Sequence, residues 1–342
     1  MNGYERVRAV LKGEKPDKVP LMLHSFMPAA EEAGLTMEEY RNSPRNMARA
    51  HVKFARKYGL DGILLDVDTA VAAGAIGARV DFPVNAPARV AGPAAPDIDR
   101  LIEIMSPEKL RQSDRIKIML EAVGIMKRET GGEILIRGNC DQMAFSLALL
   151  CYGMEEFLTD LFDEELEEKI LCLIDRALLV HLEFHRMMSE AGADITSFGD
   201  SPAGPDVISR NMFLKYALPF HYKLKQQLDL LGIETICHIC GNLDLIVEDL
   251  AAVGYAGVEI DYKTDIVRAA GIMNNRSVVF GVIDPSGVFF FGSPDSVRKE
   301  TLRVLDCFAG TGIVPGAGCA LPPGVPERNI RSFVETARGY PI

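Results

Sequence analysis

The feature that most constrains this chain is a series of eight short aliphatic runs, each followed by a stretch with helical spacing. The runs are Val19–His24, Gly62–Asp66, Glu133–Arg137, Ala193–Phe198, Glu234–His238, Gly257–Ile260, Ser277–Val282 and Ile313–Pro315. Between them, Pro44–Lys57, Pro107–Glu129 and Glu164–Ala191 repeat apolar residues at helical intervals, and a last helix is expected over Pro326–Arg338. Strands that alternate with helices run parallel and are joined by right-handed crossovers. Eight such units in 342 residues fit a closed (β/α)8 TIM barrel better than an open doubly wound sheet. The expectation is therefore an α/β chain forming one barrel domain over residues 1–342, with an N-terminal helical extension. Residues 70–107 are rich in Ala, Gly and Pro and read as an inserted hairpin or lid over the barrel mouth.

Charge and cysteine usage narrow the function. The formal net charge is -11 and there is no Lys/Arg run, which argues against a nucleic-acid partner. No apolar stretch approaches the roughly 20 residues that cross a bilayer, and the opening residues lack the apolar segment of a signal peptide. A cytoplasmic protein without a membrane partner is expected. The seven cysteines are odd in number and scattered, so they read as core residues, metal ligands or nucleophiles rather than a disulfide frame.

In a barrel of this kind the working residues sit at the C-terminal ends of the strands. Those positions hold His24, Asp66 and Asp68, then Asn139 to Asp141, Asp200, His238 and Cys240, Glu259 and Asp261, Asp284, and finally Cys319. The competing reading is that many of the Asp residues only cap the helix that follows. His238 and Cys240 are two apart, so on an extended strand they face one point while Cys237 and Ile239 face away. Imidazole nitrogen and thiolate sulfur are good zinc ligands, at about 2.0–2.1 and 2.3 Å. Cys319, in Gly316-Ala317-Gly318-Cys319, supplies a third donor, and the glycines let the backbone bring its sulfur inward. Three protein ligands leave a position open, the pattern of a catalytic metal site. A lone H-x-C is a weak signal, and buried free cysteine is common. His181-Leu-Glu-Phe-His185 places two imidazoles on one helix face, but Glu183 stands midway rather than directly after the first His. That pair reads as structural, as do His51 and His221.

Four stretches together resemble a known family over nearly the whole chain. Arg6–Pro20 (RVRAVLKGEKPDKVP), Gly192–Ser209 (GADITSFGDSPAGPDVIS), His238–Asn242 (HICGN) and Gly316–Ile330 (GAGCALPPGVPERNI) resemble the uroporphyrinogen decarboxylase superfamily. Within it they are similar to the zinc-dependent corrinoid methyltransferases, such as methylcobalamin:coenzyme M methyltransferases. The resemblance implies a (β/α)8 barrel and a zinc site of the form H-x-C…C, falling on His238, Cys240 and Cys319. It also implies cobalamin carried by a partner corrinoid protein. The decarboxylase branch fits less well. Its arginine-rich N-terminal motif is replaced by Leu21–Met27 without arginine, and its late G-H-G motif by Gly316–Cys319.

The expected activity is transfer of a methyl group between a methylcobalamin protein and a small-molecule thiol held on zinc. Two alternatives stand beside it. One is the first methyltransferase of a demethylase, moving methyl from a methoxylated compound or methylamine to cob(I)alamin. The other is metal-free decarboxylation. His24, Asp200 and Asp261 are the expected catalytic side chains, and Asn139 and Asp284 the expected cofactor-binding ones. Their expected roles are to orient substrate or hold His238 through its second nitrogen. His24 is either a proton donor or a satisfied polar residue at a strand end.

Overall fold

The computed structural model describes residues 1–342. Its ten strands are β1 (Met22–Leu23), β2 (Gly62–Leu65), β3 (Arg79–Asp81), β4 (Arg89–Gly92), β5 (Leu135–Gln142), β6 (Ile195–Gly199), β7 (Thr235–Ile239), β8 (Gly257–Ile260), β9 (Val278–Ile283) and β10 (Ile313–Ala317). Eight form one sheet in the order β1-β2-β5-β6-β7-β8-β9-β10, with every pairing parallel. Surrounding helices make this a (β/α)8 barrel, and each strand coincides with one of the eight aliphatic runs. Between β2 and β5 the chain makes a helix (Val71–Ile76), the antiparallel hairpin β3–β4 and a second helix (Ile98–Ile104).

The ring meets itself at β1 and β10. A Cβ on Gly316 would overlap the Met22 carbonyl oxygen, so only glycine lets the two backbones approach there. Just beyond, the Leu321 N–H donates to the His24 carbonyl at 2.8 Å. The floor is tied by a buried carboxylate. Asp61 accepts from the Leu21 N–H at 2.8 Å, from Arg6 at 3.1 Å and from Arg338 at 2.7 Å. It thereby joins the first helix (Gly3–Leu11) and the last (Glu327–Gly339) to the barrel.

Helices follow local rules with one departure. Pro44 opens its helix behind a Ser43 cap, and Gly59 ends it in the left-handed region. The helix expected over Pro107–Glu129 is two, Pro107–Gln112 and Asp114–Thr130. Ser113 has ψ 122° and restarts the helix, a position that serine favours.

Along the strands, inward-facing side chains recur every second residue. Met22, Leu64, Leu135, Ile195, Ile236, Val278, Phe280 and Val314 form an apolar plug with Val7 and Val10 of the first helix. Two residues further along, the same face turns polar: His24, Asp66, Arg137, Ser197 and His238. The site described below stands on this plug.

Outside the ring, three buried histidines are held neutral. His185 bonds Thr196 at 2.7 Å and His181 at 3.0 Å, and His51 bonds the Tyr40 hydroxyl at 2.7 Å. Burial pushes His185 down to about 3 and His51 to about 4, and holds His181 well below its ordinary value. These pKa values are depressed on folding. The stability they contribute is complete above the unfolded value near 6.5 and drains away as pH falls toward the folded values. Each should remove about 1.4 kcal/mol per pH unit across that window. His24 has the opposite sign: its share is present below about 6.5 and lost as pH rises through about 9. The urea midpoint should fall steadily from pH 6.5 to 5, with a shallower slope for His185→Gln; a flat midpoint across that range would contradict neutral buried imidazoles.

Candidate metal centre

β7 delivers His238 with its ring almost enclosed; the residue is 8% exposed. Its Nδ1 lies 3.1 Å from the Glu259 carbonyl oxygen, which makes Nδ1 a donor and turns Nε2 toward the cysteine sulfurs. Nε2 is 3.0 Å from the Cys240 sulfur. Cys319 arrives from beyond β10, and its sulfur is 3.6 Å from that of Cys240. The three donor atoms all lie within 4.8 Å of one another. Zinc–sulfur bonds of about 2.3 Å at a tetrahedral angle place two sulfurs about 3.8 Å apart, close to the observed separation. The N–S distance is shorter than such an ion would impose and is that of a direct hydrogen bond. The donor set and its spacing fit a zinc ion, with His238, Cys240 and Cys319 as the residues that would hold it.

The loops are shaped to bring these sulfurs in. A Cβ on Gly318 would stand 2.8 Å from the Ile260 carbonyl oxygen and 2.9 Å from the Tyr262 nitrogen. Glycine there acts by its missing side chain, letting the β10 loop lie against the end of β8. On the other side, Gly241 takes φ +93° and its N–H donates to Asp261 at 2.9 Å. Asp261 also accepts from the Lys263 N–H at 3.1 Å, so it sets the Cys240–Gly241 turn. The Ser201 hydroxyl accepts from the Cys240 N–H at 3.2 Å.

The three side chains polarise one another. The hydrogen bond from Cys319 stabilises the Cys240 thiolate, which burial opposes and His238 reinforces; the same bond pushes the Cys319 thiol up. Burial works against a charged His238, yet the Cys240 thiolate raises it to about 10. Cys240 and His238 thus each favour the charged form of the other.

Beside the donors runs a line of alternating charge. Asn139 donates to Asp66 at 2.8 Å, and Asp66 meets His24 Nε2 at 2.7 Å. His24 Nδ1 and His238 Nδ1 each lie 3.7 Å from Glu259 Oε1, while Glu259 Oε2 pairs with Arg137. Burial opposes charge on His24, but Asp66 and Glu259 raise it to about 9, so it is an imidazolium at neutral pH. Burial also opposes charge on Glu259; Arg137, His24 and His238 outweigh it and hold the carboxyl well below the usual range. Arg137 lies over the Phe280 ring, 5.7 Å from its centroid, which seats the network on the apolar plug.

Of the side chains expected to act, His238, Cys240 and Cys319 come together, and His24 and Asn139 share the adjacent network. Asn139 donates its amide to Asp66. Asp200 is turned into the barrel wall: it is fully buried, bonded to Ser146 at 2.5 Å and His221 at 3.0 Å, so a catalytic role at the mouth is not where its carboxylate points. Asp284 accepts from the Ser286 and Gly287 N–H groups, both at 2.9 Å. Both bonds go to Oδ1, which caps the turn that follows, as the competing reading held. Asp261 positions a loop by accepting two backbone N–H groups. Arg137 and Glu259 were not assigned roles from sequence. The available signal was a charged residue on the inward face of each strand, two places beyond Leu135 and Gly257. His181 and His185 lie fully buried against each other, and Glu183 pairs with Arg111 and Arg186.

Two substitutions test this geometry. Cys319→Ala should lose zinc uptake by equilibrium dialysis and elemental analysis, while circular dichroism and the urea midpoint stay near wild type. Gly318→Val should weaken zinc binding as well, because its side chain would push the β10 loop and the Cys319 sulfur away from β8. Full metal content in Cys319→Ala would remove that sulfur from the ligand set.

Comparison with known proteins agrees with this architecture. Residues 2–340 match the uroporphyrinogen decarboxylase (URO-D) family. A methylcobamide:CoM methyltransferase MtbA of Methanosarcina acetivorans is 30% identical over 226 residues, 66% of this chain and 64% of that protein. A methylcobamide:CoM methyltransferase MtaA of Methanosarcina barkeri is 25% identical over 347 residues, covering 98% of this chain and 97% of its own. A solved methyltransferase from Methanosarcina mazei superposes with a TM-score of 0.89 at 23% identity, over 98% of both chains, which is a likeness of fold. The chain belongs to the uroporphyrinogen decarboxylase family.

Proposed function

We propose that this chain is a zinc-dependent, corrinoid-dependent methyltransferase that moves a methyl group from a methylcobalamin-bearing protein to a small-molecule thiol. The observation that carries the proposal is the convergence of His238 Nε2 and the Cys240 and Cys319 sulfurs within 4.8 Å at the C-terminal end of the barrel, with no fourth side-chain donor among them. Relatives with methylcobamide:CoM methyltransferase activity in their names support the same reading.

Zinc held by this set would lower the pKa of an incoming thiol and keep it as a thiolate at neutral pH. The residues do the rest. Two sulfur donors and one neutral imidazole carry enough negative charge to leave an incoming sulfur electron-rich rather than quenched. The Glu259 carbonyl fixes the His238 tautomer and ring plane through Nδ1, as partners of metal-binding histidines do. Asp261 fixes the Cys240 turn. The apolar plug fills the floor, so a corrin ring cannot enter from below and must lie across the mouth. There a substrate thiolate would take the methyl group, forming a C–S bond as the bond from methyl to the corrinoid breaks and its electron pair stays with the corrinoid. Such a transfer needs sulfur and methyl carbon within roughly 3–3.5 Å, which favours donors placed at the rim rather than deep in the barrel. His24, protonated and held by Asp66, lies 3.7 Å from Glu259 through Nδ1. We assign it to balancing that carboxylate and orienting substrate.

The test is anaerobic incubation of purified protein with methylcobalamin and a thiol panel, followed by the change in the cobalamin spectrum. We expect one zinc per chain and thiol-dependent loss of methylcobalamin, abolished by a chelator and restored by zinc. Activity only from methoxylated compounds or methylamines to cob(I)alamin would reverse the direction. Carboxyl loss from a porphyrinogen by zinc-free protein would replace the proposal altogether.

A further inference from the structure

Cys240 and Cys319 are the one pair of cysteines in the chain whose sulfurs are in contact, at 3.6 Å. Cys140, Cys151 and Cys237 are buried, Cys172 is exposed and alone, and Cys307 bonds the Ile266 carbonyl. A disulfide has a sulfur–sulfur bond of about 2.05 Å, so closing this gap takes a movement of about 1.5 Å. The backbone can supply it. Cys240 precedes Gly241, which sits in the left-handed region, and Cys319 follows Gly318 in the loop beyond β10. β10 borders the one seam of the ring without ladder bonds. Cys240 and Cys319 are partly exposed residues, whereas Cys237 on the opposite face of the same strand as Cys240 is buried.

We propose that Cys240 and Cys319 form a reversible disulfide that competes with metal binding, and that its oxidant is the symmetrical disulfide of the enzyme's own acceptor thiol. The identity of the oxidant rests on the thiol-acceptor reading; the cross-link itself does not. The exchange balances in two steps. One protein thiolate attacks the small disulfide, forming a mixed disulfide and releasing one small thiolate. The second protein thiolate then attacks the protein sulfur of that mixed disulfide, closing the Cys240–Cys319 bond and releasing the other small thiolate. Two protein thiolates and one small disulfide give one protein disulfide and two small thiolates. Neither sulfur in the product carries the negative charge a zinc ligand needs, so the oxidised chain cannot hold the ion. The zinc-loaded chain resists, because both sulfurs are engaged. The enzyme would thus sense the thiol–disulfide balance of the pool it methylates and switch off when that pool is oxidised.

The experiment uses 2-hydroxyethyl disulfide as probe on the reduced full chain, zinc-free and zinc-loaded, with no methyl donor present. Intact mass, peptide mapping after alkylation and zinc uptake are read. The zinc-free chain should become lighter by two hydrogen atoms, with Cys240 and Cys319 alone lost from alkylation. It should bind no zinc until dithiothreitol is added, and then bind it in full. The zinc-loaded chain should react on the order of tenfold more slowly. Cys319→Ser should stop at a mixed disulfide on Cys240, and Cys307→Ser should behave as wild type, both with unchanged circular dichroism. A cross-link elsewhere, separate mixed disulfides on both cysteines, or zinc uptake by the oxidised chain would overturn the proposal. Because no methyl transfer is measured, a failure here is distinct from a failure of the thiol-methylation reading.

Discussion

Every functional side chain in this molecule depends on one constraint: in a closed ring of parallel strands, every second residue must face inward. On most strands the inward column begins apolar and ends polar. Met22 precedes His24, Leu64 precedes Asp66, Leu135 precedes Arg137, and Ile236 precedes His238. A one-residue slip of β7 would turn His238 into the outer helix layer and Cys237 into the mouth. The apolar plug therefore holds the register of the ring, and with it the donor atoms.

On that base the site is assembled by backbone groups as much as by side chains. The Glu259 carbonyl selects the His238 tautomer, while the Glu259 carboxylate is drawn off toward Arg137 and His24. One residue thus serves the metal-binding ring and the charge line with different atoms. The charge line also explains how so many ionisable groups tolerate burial: Asp66, His24, Glu259 and Arg137 alternate in sign, so each desolvation penalty is offset by at least one opposite charge. Asp141 lies outside that compensation. It sits in a bulge of β5 with φ 60°, accepts only the Ala72 N–H, and burial raises it to about 8, so it is a neutral acid at physiological pH.

The glycines around the site have two distinct jobs. Gly316 and Gly318 are needed for the space a Cβ would take, against Met22 in one case and the β8 end in the other. Gly241 is needed for its left-handed torsion, which turns the chain directly after Cys240. The sequence reading assigned the late glycines to bending; close approach of backbone to backbone is what they permit.

Much of this was legible in the sequence. Alternation of aliphatic runs with helical spacing pointed to parallel strands, and eight of them in a chain of this length favoured a closed ring over an open sheet. Two-residue periodicity determined that His238 and Cys240 share a face. The tertiary structure decided what periodicity cannot reach. It set the partners of the strand-end acids: Asp284 and Asp261 bind backbone N–H groups, and Asp200 faces Ser146 and His221. It also brought Cys319 to Cys240 across 79 positions of chain. The physical reason is range. Local spacing fixes the direction of a side chain relative to its own strand, but its partner is fixed by how far the whole ring twists before it closes.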